Sequence, residues 1–379
     1  MVTKGESVVV VGFGANPSAR KVLSTVLSPG HMGSLWLRNR VIMPPMVTNF
    51  AEEDGQVGES IIRHYAERAR GGVGLVIVEA SYVEPQGRGF PFNVGISSDE
   101  HLVGLERLTK AVRAEGARVG IQIFHAGGNT DLSDGVPGAP SAFHYRQEQP
   151  PSRELTIGEV EGLVDSFVAA GKRAKRAGFE LVQVHMAHRY LIHQFLSPIS
   201  NRRSDRYGVD RTRFAVEVVR GLRQELGTDY PIACRIGGAD GRPDGLSGED
   251  MHGIAIRLVE AGVQCIDVSP RGFSEWLPAQ EGCAAGWSYL AEGMKRIVDV
   301  PVVTVGGIVD LHTADSVIVN GQADFVGIGR QLLADPYLVR KSAEGRADEV
   351  RHCDGCRGCE RSMRHRGIRC PSNPKLGRG

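Results

Sequence analysis

A (β/α)8 barrel is the fold this sequence predicts, on three observations. Eight short apolar runs alternate with amphipathic helical patterns over about 290 residues. Each run is apolar almost throughout, as strands of a parallel sheet covered by helices must be. The last two runs end in glycine-rich turns. A doubly wound open sheet also alternates in this way, but the count of eight and the glycine-rich ends favour the closed barrel.

The runs are VIMPPM (41–46), GLVIVE (74–79), VGIQIF (119–124), LVQVH (181–185), PIACRI (231–236), CIDVS (265–269), PVVTV (301–305) and FVGIG (325–329). Between the third and fourth, TIGEVEGLVDSFVAAGKRAKRAG places Val160, Leu163, Val164, Phe167, Val168 and Ala174 on one helical face. Thr156 and Glu159 form a capping box at its start, and Gly178 ends it. Ser247 and Asp250 repeat that plan before the sixth run. Residues 1–24 read as an extension, 25–345 as the barrel and 346–379 as a separate cysteine-rich segment. The turn VVGFGANPSA lacks the third glycine of a dinucleotide fingerprint, and no helix pattern follows it.

Composition narrows the function. The 379 residues hold 45 Lys+Arg against 44 Asp+Glu, so net charge points to neither nucleic acid nor a membrane surface. No apolar run approaches the ~18 residues of a membrane span, and the N-terminal apolar stretch is short for a signal peptide. The expectation is a cytoplasmic homo-oligomer acting on a small molecule. Of seven cysteines, Cys234 and Cys265 lie in apolar runs and read as buried thiols, as does Cys283, while Cys353, Cys356, Cys359 and Cys370 cluster near the C-terminal end.

In such a barrel, polar residues at the C-terminal ends of strands face the active-site mouth. Those ends carry Pro45, Met46 and Val47; Glu79 and Ala80; Gln122 and His125; His185; Arg235; Gly306 and Gly307; and Gly329 with Arg330. Backbone N–H groups of the last two turns, with the Arg330 fork, suit a phosphate. Gln122 and Arg235 suit the polar edge of a flat heterocycle, and the two together describe FMN, with Arg235 stabilising the anionic reduced ring. His185 and His188, three apart, are either histidines satisfied by backbone, metal ligands, or neutral donors gripping a carbonyl or phenolate oxygen. Tyr190 is placed to supply a proton.

The spacing of the terminal cysteines is C-x2-C-x2-C-x10-C, with Pro371 after the last. Four thiolates suit an iron–sulfur cubane or a structural zinc, and spacing leaves both open. Arg351, Arg357, Arg361, Arg364, Arg366 and Arg369 make the segment basic. This charge either raises a cluster's potential, attracts an acidic partner, or is a solvated loop.

The stretches NRVIMPPMVTNFAEEDG, HYAERARGGVGLVIVEASYV, IQIFHAGG, HMAHRYLIHQFLSPISNRRSDRYG, PVVTVGGI and GIGRQLLADP, in this order, resemble the old yellow enzyme family of FMN barrels over residues 25–345. The tail CDGCRGCERSMRHRGIRCPSNP resembles its iron–sulfur branch, which includes 2,4-dienoyl-CoA reductase and trimethylamine dehydrogenase. The resemblance implies FMN bordered by Pro45, Met46, Ala80, Gln122 and Arg235, with phosphate on Gly306, Gly307, Gly329 and Arg330. It implies His185 and His188 as the carbonyl-polarising pair, Tyr190 as proton donor, and a [4Fe–4S] cluster on Cys353, Cys356, Cys359 and Cys370. The expected activity is ene-reduction of a carbonyl-activated C=C bond. The alternatives are amine dehydrogenation with electrons leaving through the cluster, a non-catalytic electron-transfer subunit, and a zinc-stapled lyase acting on a phosphorylated substrate.

Three departures from the family pattern stand out. Val47 replaces a Thr or Cys beside the flavin and offers no hydrogen bond or cysteinyl linkage. Arg189 replaces a small residue before the tyrosine and is either solvent-facing or a selector of anionic substrates, with His125 a further substrate candidate. YGVDRTRF is shorter than the corresponding family segment. With nine residues after Cys370, the FAD- and nicotinamide-binding region of the larger relatives is not expected. Electrons are then expected from a separate electron-transfer protein or reductase, or directly from NAD(P)H.

Overall fold

The computed structural model describes residues 23–130, 135–145, 150–273 and 275–376. The VVGFG turn and nearly all of the expected extension over 1–24 lie outside them. Eight parallel strands close into a barrel in sequential order. They are β1 (Val41–Met43), β2 (Leu75–Tyr82), β3 (Arg118–Phe124), β4 (Leu181–Met186), β5 (Ile232–Gly237), β6 (Cys265–Ser269), β7 (Val302–Val305) and β8 (Phe325–Gly327). Around them run α1 (Glu59–Arg70), α2 (Leu102–Ala114), α3 (Ile157–Arg176), α4 (Arg213–Leu226), α5 (Gly248–Glu260), α6 (Ser288–Lys295), α7 (Leu311–Val319) and α8 (Leu338–Ala343). Among the described residues no helix is long and apolar enough to cross a membrane.

All eight expected strands form, with shifted ends. β1 stops at Met43 because Pro44 and Pro45 cannot donate to a ladder. β2 runs on to Tyr82 through an irregularity between Val78 and Ser81. That bulge turns Glu79 and Ala80 to different surroundings. The capping boxes Thr156/Glu159 and Ser247/Asp250 open α3 and α5. Gly178, just past α3, has φ +84°, a conformation that favours glycine.

Two layers hold the barrel. Outside, strand residues pack against the buried helix faces, with Val160, Leu163 and Phe167 of α3 among them. Inside, at the N-terminal end, Leu75, Leu181, Ala233, Cys265 and Phe325 meet Met32, Leu35 and Leu37 of a hairpin, Gly30–Met32 paired with Leu35–Leu37, that plugs the barrel. The opposite mouth is covered by the cysteine-rich segment. Gly367 and Ile368 donate backbone N–H groups to Asn49 O and Thr48 O at 2.8 Å each. Asn373 Nδ2 donates to Leu333 O at 2.9 Å, and Cys353 N donates to Gln331 Oε1 at 2.8 Å.

Candidate active site

At the C-terminal mouth lies a cavity of about 330 Å³. Its wall brings together Pro45, Met46, Val47, Ala80, Gln122 and Arg235 from the ends of β1, β2, β3 and β5. His185 enters from the end of β4, His188 and Tyr190 from the turn after it, and Gly306, Gly307, Gly329 and Arg330 after β7 and β8. Cys353 and Cys359 reach the same cavity from the covering segment.

A chain of buried polar side chains crosses the barrel under this cavity. Gln122 Nε2 donates to Gln183 Oε1 at 2.7 Å, and Gln183 Nε2 to Asp267 Oδ2 at 3.1 Å. Arg235 Nε lies 3.5 Å from Asp267 Oδ2. Burial pushes the Asp267 carboxyl up, and the Arg235 charge opposes that shift. Arg235 Nε and Asp267 Oδ1 are buried with no hydrogen-bond partner. Such orphaned groups are costly unless a ligand or water completes them.

The glycine turns leave the cavity open where side chains would close it. Gly306 has φ +112°, and a Cβ there would stand 3.0 Å from the Trp287 ring. A Cβ on Gly329 would stand 3.1 Å from Met46 Sδ.

The histidine turn is strained and heavily braced. His188 and Arg189 are consecutive non-glycine residues at φ 60° and 61°. Each costs of order 1 kcal/mol and persists only where its surroundings enforce it. His193 Nδ1 accepts from Arg189 N at 3.0 Å, while its Nε2 meets Asp240 Oδ1 at 2.7 Å. Asp240 also accepts from Ser197 Oγ at 2.6 Å. Gln194 Nε2 donates to Arg189 O at 2.5 Å. With Nδ1 accepting, His193 carries its proton on Nε2 and donates it to Asp240.

His185 Nδ1 accepts from Ala187 N at 3.3 Å, which leaves Nε2–H as the donor. His188 Nε2 lies 2.7 Å from Ser269 Oγ. Burial holds both imidazoles well below the usual histidine range. For His185 the Arg235 charge adds most to that, and for His188 the neighbouring His185, with Arg271 contributing to both. The pair is therefore neutral at pH 7 and donates hydrogen bonds without carrying charge. Tyr190 meets the Phe124 ring edge-on, with centroids 5.2 Å apart, and the His185 ring at 4.9 Å.

Two expectations are corrected. His125 is not part of the cavity wall. Its Nε2 pairs with Glu84 Oε1 at 3.0 Å, and its carbonyl accepts from Leu191 N at 2.9 Å, so it braces the turn. Arg189 is half-buried and lies outside the cavity wall. Its guanidinium lies 5.9 Å from the Tyr145 ring centroid and 5.6 Å from that of Phe273, and it donates to Tyr145 O.

The structure adds residues that pattern reading missed. Gln183 and Asp267 are single polar residues in the middle of apolar strands, which is a signal in a barrel whose alternate residues point inward. His193 on the short helix Leu191–Leu196, Asp240 in the loop after β5, and Ser269 at the end of β6 carried no such mark. Glu79, turned outward by the bulge, accepts from Thr48 N at 3.0 Å and pairs with Tyr65 Oη at 3.0 Å. Burial pushes its carboxyl up to about 7. Arg271 and Trp276, in the loop after β6, join the cavity wall.

The four terminal cysteines sit on the covering segment, each partly exposed. Gly355 at φ +71° and Arg357 at φ 56° fold the first three back on themselves. A Cβ on Gly358 would stand 3.5 Å from Cys356 Sγ and 3.2 Å from Pro371, so Cys356 and the Cys370–Pro371 pair flank one glycine. The Cys359 thiol is pushed up chiefly by burial, with Cys353 and Arg330 within electrostatic reach. Among the described residues, no three His, Cys, Asp or Glu are grouped as the ligands of a single ion.

The family described as NADH:flavin oxidoreductase / NADH oxidase matches residues 26–349, ending just before Cys353. An NADH oxidase of Thermoanaerobacter brockii is 42% identical over 93% of this chain and 56% of its own length. An NADPH dehydrogenase of Clostridium acetobutylicum is 38% identical over 82% of this chain and 92% of its own length. A solved 2-naphthoyl-CoA reductase complex superposes with TM-score 0.89 at 28% identity, over 94% of this chain and 58% of that one. The chain thus spans little more than half of its longer relatives. Fold and sequence agree that it belongs to the NADH:flavin oxidoreductase / NADH oxidase family, the old yellow enzyme homologues, which are flavin-dependent oxidoreductases.

Proposed function

We propose that this chain binds FMN in the mouth cavity and a [4Fe–4S] cluster in the covering segment, and reduces carbonyl-activated C=C bonds with NAD(P)H as the ultimate donor. The observation that carries the flavin is the cavity itself. An amide, a guanidinium with an orphaned buried N–H, and two glycine turns beside Arg330 line one continuous space. Pro45, Met46, Val47 and Ala80 would border the ring, Gln122 and Arg235 its polar edge, and Gly306, Gly307, Gly329 and Arg330 the phosphate. FMN held by these residues would supply the hydride that the alkene β-carbon takes up.

The chain's own residues do the rest. His185 and His188, held neutral, donate to the substrate oxygen and stabilise the negative charge that develops on it. Tyr190 delivers a proton to the α-carbon. The bracing of residues 188–190 by His193, Asp240 and Gln194 fixes the angle of approach. Val47 cannot hydrogen-bond the ring, so donors on other strands set its environment. Amine oxidation is disfavoured because the neutral pair His185 and His188 offers donors to an oxygen rather than a cage for a cation.

The cluster proposal rests on the donor set and its position. Four thiols on one short segment match an iron–sulfur ligand set, and two of them face the flavin cavity, where an electron carrier is useful and a structural zinc is not. In this reading the segment carries electrons between the flavin and a donor, either NAD(P)H chemistry or a separate reductase.

The test is cofactor analysis of anaerobically purified protein. One FMN with about four iron and four sulfide per chain is expected. Cys359→Ala should lose the iron and retain FMN. Zinc in place of iron would reject the cluster, and a chain without FMN would reject the whole reading.

A further inference from the structure

Three arginines face the cavity: Arg235, Arg330 and Arg271. The first is tied to Asp267 and the second belongs with the glycine turns. Arg271 has no such commitment. Among the described residues its guanidinium makes no hydrogen bond or ion pair, and the residue is exposed. Its charge is nonetheless felt at both His185 and His188. Among the described residues the one carboxylate in the cavity wall, Glu360, is on the cysteine segment.

The backbone carrying Arg271 is fixed. Arg271 N donates to Ser269 Oγ at 3.4 Å, the same hydroxyl that meets His188. Arg271 also bridges to Trp276. Gly272 N donates to Glu275 O at 2.8 Å, and Phe273 N to Asp240 O at 2.9 Å. A cation on a braced loop, in a cavity whose wall also holds the histidine pair, Trp276 and Phe90, is preorganised for an anion on a flat substrate.

We propose that Arg271 is the specificity residue of this site and that the preferred substrates carry a carboxylate at the end remote from the reacting alkene. This rests on the histidine pair binding the activating carbonyl, as argued above. It replaces Arg189, whose guanidinium lies among Tyr145 and Phe273 outside the cavity wall. The Arg271 fork would pair with the carboxylate bidentately, while Trp276 and Phe90 cover the apolar body between the two polar ends.

The test is calorimetric titration of the oxidised holoenzyme with 4-hydroxybenzoate and with its methyl ester, which differ in that one charge. Nothing turns over, so the result is independent of whether the enzyme reduces alkenes. Wild type should bind the acid at least about tenfold more tightly than the ester, the size of one charge-assisted hydrogen-bonded pair. Arg271→Gln should abolish the preference, and Arg271→Lys should retain most of it. A wild type with no acid preference, or binding neither probe measurably, overturns the proposal, as does a preference that survives Arg271→Gln.

Discussion

The two ends of this barrel are built from the same strands, yet they behave oppositely. On β4, Leu181 packs in the dry N-terminal plug, while Gln183 and His185, two and four residues on, reach the polar layer and the cavity. On β5 the contrast is Ala233 against Arg235, and on β6 Cys265 against Asp267. Strand periodicity alone produces this, because residues two apart share the inward face. The lesson is that one end supplies stability through packing, which frees the other to hold polar groups that are satisfied by neighbours and ligand.

Four substitutions test that division, in falling order of expected effect. Tyr190→Phe keeps the ring and removes the proton source. Alkene reduction should slow by roughly 10²- to 10⁴-fold with the melting temperature unmoved, as rapid mixing and calorimetry would show. Arg235→Met leaves Asp267 buried without its cation. It should cost about 3–5 kcal/mol in chemical unfolding and weaken FMN retention. Leu181→Ala, on the plug side, should cost about 2–5 kcal/mol while FMN stoichiometry stays at wild-type level. If Leu181→Ala also released flavin, the two ends would not be separable.

Glu79→Gln gives the most specific effect, one confined to pH dependence. Its folded-state pKa is raised, to about 7 against an ordinary 4.5. Its contribution is therefore complete below pH 4.5 and is lost as pH rises through 7, a change of roughly 3 kcal/mol. The His185 and His188 shifts have the opposite sign. Both folded values are lowered, so their contribution is present above the ordinary histidine value and is lost as pH falls below it. The difference in unfolding free energy between wild type and Glu79→Gln, in which the histidine contributions cancel, should fall as pH rises from 4.5 to 8.

The strands and capped helices were legible in the sequence because their signals are local. The apolar runs announce β1 to β8, and Thr156 with Glu159 announces α3. The strand-end residues Gln122, His185, Arg235 and Arg330 followed once a barrel was assumed. The rest needed three dimensions. Arg189 and Arg271 are both arginines in loops after strands, and nothing local says that one is absorbed by Tyr145 and Phe273 while the other faces the cavity. The bulge that separates Glu79 from Ala80 depends on pairing with β3. The brace of His193 on Asp240 joins residues 47 positions apart.

The most direct test of the central claim is a single anaerobic turnover. Holoenzyme reduced photochemically is mixed with 2-cyclohexen-1-one, and oxidised-flavin absorption and product are followed together. The absorption should return with one equivalent of cyclohexanone per flavin, and much more slowly in Tyr190→Phe. Flavin that stays reduced, or reoxidises without saturated ketone, would contradict it.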